Sequence, residues 1–362
     1  SQDAELARNL YAHLSPARQA AIRGWLLGEH GKTGLLAFIS AYAVQDLEIT
    51  GRLAADIFDH LAPTDQNALF DLLFGREVGL AAENYKKKAI PALAFLFTKL
   101  PEGRRRDVLS WLYGEGSGLR GTGDENAAQV VRLLEGIADD LSAGELAPAT
   151  DWLLGESTGL NHFHERDREL AVRILRILYH RLSEPDRLRA LTWLYGEADL
   201  YGLRDTANTV RRESIDTAFG LLADPKLDPA DPAKQKAREW LFRPYAGLYH
   251  YYSAWRYRTL KNLAPIYGAL DSRERESVIA WMFGESTGLL DWEISGREVV
   301  ETLRAIHSRG DDRASLVASV RAHLSQSLSP ARTEEALRWI FEGTDRLPSY
   351  GTFSQREPEP DW

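Results

Sequence analysis

Cysteine is absent from this chain, and methionine occurs once, as Met282. The missing thiols exclude disulfides, cysteine nucleophiles and thiolate metal sites. They leave the compartment open, because exported bacterial proteins are often cysteine-poor and an Ala-, Arg- and Leu-rich composition depletes cysteine by itself. A soluble protein, either cytoplasmic or exported, is expected.

Long apolar runs are missing as well. The best stretch, Ile90 to Leu100, falls well short of the roughly 18 residues that a membrane helix needs, so no membrane insertion is expected. No segment has the layout of a signal peptide. The sequence starts at Ser1 and not at Met, which leaves room for a leader or an upstream domain. Positive charge is not in excess either: the formal net charge is −9, which argues against a phosphate-tracking surface. The short basic clusters Lys86–Lys88 and Arg104–Arg106 have acidic neighbours and read as solvated helix ends, so no nucleic-acid partner is expected.

Reaction signatures are lacking. There is no Gly-x-Ser-x-Gly elbow, no His-Glu-x-x-His and no phosphate-binding loop. The glycines at Gly121 lack the lysine of such a loop, and Asp139-Asp140 and Asp311-Asp312 read as helix ends. No catalytic residue can be named and no cofactor is implied. Sustained polar-apolar alternation is absent, which excludes ordinary strands.

A repeat is present. A Trp-containing segment runs into a Gly-Glu turn and then Gly-Leu from Trp25, Trp111 ("WLYGEGSGL"), Trp152 ("WLLGESTGL"), Trp193 and Trp281 ("WMFGESTGL"), with weaker copies from Leu72 and Trp240 and a truncated one from Trp339. The Gly-Leu pairs begin at Gly34, Gly79, Gly118, Gly159, Gly202, Gly247 and Gly288, so the steps are 45, 39, 41, 43, 45 and 41 residues. About ten residues before each Trp segment stands Leu followed by a capping residue, as in "LSPAR" at Leu14 and Leu328. Two marks kept in step define about seven α-helical hairpins of about 42 residues.

Each mark has a mechanical meaning. Ser15, Ser183, Asp271 and Ser329 suit helix N-caps, and Pro16 and Pro330 suit the first helical position. Gly28, Gly114, Gly155, Gly196 and Gly284 are expected to end the short helix in the left-handed conformation. A longer amphipathic helix follows, as in Leu170, Ile174, Leu175, Leu178 and Leu182. Neither helix buries its apolar face alone, so hairpins must stack. The expected fold is all-α: tandem hairpins over 1–347 in a solenoid, or closed into an α/α toroid. An inserted helix is expected at about 308–324, and 348–362 reads as a flexible tail.

Periodicity places the loops at one edge of the array. The repeated Glu29, Glu115, Glu156, Glu197 and Glu285 would then form a row, but a residue repeated in every unit usually serves the unit. Departures say more. Loop four holds His162, His164, Glu165 and Asp167, which suit ligand contact or, with weak specificity, a metal; acidic residues at a helix start are also expected from its dipole. No metal site is assigned. Loop six replaces Gly-Glu by Arg243-Pro244 and continues through Tyr245, Tyr249, His250, Tyr251 and Trp255. Some of these rings must pack in the core, while Tyr, Trp and Arg together match recognition hot spots.

Three functions follow. The first is a binding scaffold for a protein or peptide partner, acting through His162, His164, Glu165, Asp167, Arg243, Tyr249, His250, Tyr251 and Trp255. The second is a toroid enzyme acting on a polysaccharide or other polar substrate, which would need two carboxylates at a set separation. The third is a targeting or structural module of a larger exported bacterial protein, such as a toxin or secretion component.

Overall fold

A computed structural model describes residues 11, 13–27, 55–74, 90, 93–114, 116–121, 124–196, 201–250, 253–284, 296–310 and 313–342. Among these residues the regular elements are helical and none is a strand. No described helix is long and apolar enough to cross a membrane. The chain forms two compact units, Ser1–Trp193 and Leu194–Trp362.

The first unit contains α1 (Pro16–Leu27), α2 (Pro63–Phe74), α3 (Glu102–Tyr113), α4 (Asp124–Ile137), α5 (Ala143–Leu154) and α6 (Glu165–Leu178). At its edge lies α7 (Glu184–Leu194). The second contains α8 (Asn208–Ala223), α9 (Pro232–Phe242), α10 (Ser253–Lys261), α11 (Leu263–Ile266) and α12 (Ser272–Phe283). It continues through α13 (Gly296–Arg309), α14 (Arg313–Leu324) and α15 (Pro330–Glu342). The helix α14 falls within 308–324, and 348–362 lies outside the described residues.

Local chemistry sets the helix starts. Ser142 and Glu145 close a reciprocal capping box on α5, and Asp271 and Glu274 do the same on α12. Asp231 caps α9 by accepting the Ala233 amide at 2.8 Å, and Pro232 follows at the first helical position. Pro16 and Pro330 are the first residues of α1 and α15.

Packing does more than capping. Val130, Leu133, Leu134 and Ile137 of α4 are buried, as are Leu170, Ile174, Leu175 and Leu178 of α6, and the two helices lie against each other. Each such side chain contributes about 1.5–3 kcal/mol on burial, against about 1 kcal/mol for a cap. The repeated Trp111, Trp152, Trp193 and Trp281 are core residues, and so are Leu119, Leu160, Leu203 and Leu248 after the second glycines.

The glycines exchange their expected roles. Gly114, Gly155 and Gly284 end their helices in the extended conformation, with φ of −71°, −64° and −73°, not in the left-handed one. The left-handed residues are instead Gly118, Gly159, Gly202 and Gly247, with φ of 48°, 50°, 34° and 47°. At Gly114 and Gly155 a hydroxyl folds back from downstream onto the helix end. Thr158 Oγ1 donates to the Trp152 carbonyl at 2.7 Å, and Ser117 Oγ to the Trp111 carbonyl at 2.8 Å. A Cβ at Gly155 would lie 2.3 Å from that Thr158 oxygen, and one at Gly114 2.8 Å from Ser117 Oγ. The first glycine makes room for the hydroxyl, and the second passes over the helix end: a Cβ at Gly159 would lie 2.4 Å from the Leu153 carbonyl oxygen.

Polar contacts within each unit link positions about 40 residues apart. His180 meets Asp139 at 2.7 Å across 41 residues, and Arg105 meets Glu145 at 2.9 Å across 40. Arg181 donates to the Ala138 and Leu141 carbonyls, and Arg258 forms a two-pronged pair with Asp216.

Candidate functional site

Loop four leads from α5 into α6 and forms one wall of a cleft of about 910 Å³. All four of its expected residues, His162, His164, Glu165 and Asp167, line this cleft. Arg120 and Gly121 of loop three are also lining residues, and no motif in the sequence points to them.

His162 Nδ1 lies 3.0 Å from Asp167 Oδ2 and 3.1 Å from the His164 amide nitrogen. It accepts the amide hydrogen only when unprotonated and donates to the carboxylate only when protonated, so the tautomer decides which contact forms. The next loop shows what this position does for the fold. Asp205 stands at the same offset after Gly202 as His162 after Gly159, is buried, and accepts the Ala207 amide at 2.8 Å. His162 is therefore a turn cap first, with a ring in place of a carboxylate.

An arginine completes these loops. Arg168, itself buried, donates to the His162 and Phe163 carbonyls at 3.0 and 2.9 Å. Arg256 donates to the His250 carbonyl at 2.9 Å, and Arg211 to the Arg204 carbonyl at 3.1 Å. These arginines hold carbonyls that would otherwise lack donors at a tight turn. Phe163, by contrast, is 76% exposed, flanked by His162 and His164 with ring centroids 4.6 and 3.8 Å away. Among the described residues no group of three or more His, Asp or Glu is arranged to hold a metal ion.

Loop six divides its aromatic residues. Trp255 is half-buried beneath Arg211, whose guanidinium carbon is 5.3 Å from the ring centroid. Arg256 and Arg258 are committed to the His250 carbonyl and to Asp216. His250 is half-buried, and Tyr251 lies outside the described residues. Arg243 is exposed and ends α9, its own amide donating to the Trp240 carbonyl at 3.3 Å. Of the described residues of this stretch, Arg243 and Tyr249 are exposed, whereas His250 and Trp255 are half-buried.

Tyr249 does reach a cleft. It is 44% exposed and lines a space of about 630 Å³ with Phe242, Pro244, Tyr245, Asp271, Arg273, Glu274 and Ser277. Tyr245 is 79% exposed and has φ 60°, the left-handed region that a bulky side chain avoids. The Ala246 amide donates to the Arg243 carbonyl at 3.1 Å, so Pro244 and Tyr245 are the central residues of a type II turn. Loop three makes the same turn, from the Ser117 amide to the Gly114 carbonyl at 3.3 Å, but with Gly116 at φ 70° where loop six has Tyr245. The replacement of Glu-Gly by Pro-Tyr was the sequence signal. Arg273, Asp271 and Glu274 arrive from the start of α12, at a distance in sequence that no loop motif reveals.

Of the repeated glutamates, Glu156 is exposed, while Glu29, Glu115, Glu197 and Glu285 lie outside the described residues.

No protein-family model and no curated protein matches this chain. One solved structure, described as the crystal structure of an engineered protein, aligns over 93% of this chain and 88% of its own at 15% identity, with a TM-score of 0.30.

Proposed function

We propose that this chain is a binding scaffold built from tandem α-helical hairpins, which engages a protein or peptide partner through its loop-six cleft. Two kinds of observation support the stacked-hairpin arrangement. The Gly-Leu turn recurs in one conformation at four loops, and polar contacts recur at about the hairpin spacing. Neighbour-to-neighbour stacking of this kind creates extended surfaces suited to partners.

The observation that carries the reading is Tyr245, an exposed aromatic residue in a left-handed conformation that loop three gives to glycine. Such strain costs on the order of 1–3 kcal/mol and collects at functional positions. Tyr245 contributes no core packing in return, so its ring is placed for something outside the chain. Loop four, with exposed Phe163 between two histidines, is a second contact surface.

A random-peptide display library panned against the protein, with Tyr245→Gly as counter-selection, tests the reading. Peptides that bind the parent and not the variant are expected. If the selected peptides bind both equally, the cleft is not the binding site.

A further inference from the structure

We propose that loop four carries a proton-operated switch. A bare His162 Nδ1 holds the turn closed through the His164 amide, and a protonated Nδ1 releases that amide and pairs with Asp167. The switch belongs to loop four and stands whether or not the loop-six cleft binds a partner.

Three loops share one plan, against which loop four departs. Three residues after the left-handed glycine stand His162, Asp205 and His250, and nine after it stand Arg168, Arg211 and Arg256. In loop five the third residue is a buried carboxylate that accepts the Ala207 amide at 2.8 Å. An aspartate at this place remains an acceptor throughout the neutral range. His162 does the same work on the His164 amide at 3.1 Å, but with a nitrogen that can take a proton. Histidine is the side chain whose charge ordinarily changes between about pH 5 and 8.

Loop four also supplies a second partner for that nitrogen. Asp167 Oδ2 lies 3.0 Å from His162 Nδ1, whereas the place of Asp167 is taken by Val210 in loop five and Trp255 in loop six. The two contacts exclude each other. A bare Nδ1 accepts the amide hydrogen and turns its lone pair on a carboxylate; a protonated Nδ1 donates to the carboxylate and has nothing for the amide. The other ionisable groups lining the cleft are His164, Glu165 and Arg166 of the same turn and Arg120 of loop three. From α5 and the start of loop four come Trp152, Ser157 and Thr158, none of which titrates in this range. The released amide belongs to the peptide bond joining Phe163 to His164, and Phe163 carries the 76% exposed ring between the two histidines. Buried Arg168 keeps the Phe163 carbonyl in either state, so the turn loosens on one side without unfolding. The proton on His162 thus sets how Phe163 is presented.

Nuclear magnetic resonance on the full chain with isotope-labelled histidine tests this, the His162 signals being assigned by their loss in His162→Asp. A bare Nδ1 is expected at high pH. The protection factor of the His164 amide, which cancels the intrinsic pH dependence of exchange, should fall about fivefold from about pH 8 to pH 5, the worth of a lost cap. His162→Asp, which installs the loop-five acceptor, should keep that protection at both pH values. His164→Gln should leave the fall in place, and Asp167→Asn should move it to lower pH, because the imidazolium loses its counter-charge. Thermal melts confirm that each variant is folded before its amide is read. A hydrogen on Nδ1 at pH 8 overturns the proposal, as does protection that is the same at both pH values. A fall that persists in His162→Asp, vanishes in His164→Gln or is unmoved by Asp167→Asn overturns it equally.

Discussion

Tyr245 and Gly116 occupy the same position of the same turn, and the difference between them makes a sharp residue-scale prediction. Tyr245→Gly relieves a strain of about 1–3 kcal/mol and adds a chain-entropy cost of about 0.5–1 kcal/mol. The variant should be more stable by about 1 kcal/mol, raising Tm by a few degrees, while it loses partner binding. A fall in Tm would show that Tyr245 packs in a way that its exposure does not reveal. The glycines give a second contrast. Gly159→Ala combines a positive φ with a Cβ 2.4 Å from a carbonyl oxygen and should cost more than about 2 kcal/mol in chemical denaturation. Gly144→Ala, in a helix with nothing within 4 Å of the new Cβ, should be neutral or stabilising. Equal effects would contradict the cradle geometry. Sequence periodicity located these glycines but could not say which was left-handed, because that depends on how closely the loop backbone passes over the end of the preceding helix.

At the scale of elements, caps and stripes were the legible part. Asp271 and Pro330 perform as their sequence positions imply, and the apolar stripes of α4 and α6 are buried. Contacts between one helix and another were not legible, since a charged residue on a helix does not name its partner. The Arg105–Glu145 pair joins α3 to α5 and has a pH signature. Burial alone would raise the Glu145 carboxyl, but bonds from the Ser142 amide and hydroxyl and the charge of Arg105 outweigh it, and the pKa is held below its ordinary 4.5. A depressed carboxyl stabilises the fold above its unfolded pKa and loses that contribution as pH falls through the folded value. Glu145→Gln should therefore cost about 1 kcal/mol or less at neutral pH and flatten the loss of stability below about pH 4.5. Urea titrations of the two proteins at pH 7 and pH 3 measure both effects. An unchanged acid sensitivity would remove Glu145 from the account.

For the whole molecule, the sequence register separated the recurring Trp and Gly-Leu marks from the two loops that depart from them. The repeated tryptophans are buried, and the two most exposed large hydrophobics among the described residues, Phe163 and Tyr245, belong to the two departing loops. Composition alone could not divide the loop-six aromatics: Trp255 went under Arg211 while Tyr249 went to the cleft. That division depends on α8 and α12, which lie far from the loop in sequence. The most direct measurement is hydrogen–deuterium exchange on the protein with and without a peptide selected for Tyr245-dependent binding. Protection is predicted at residues 242–250 and at the start of α12, around Asp271 to Ser277. Protection confined to other segments would contradict the claim that loop six is where this chain meets its partner.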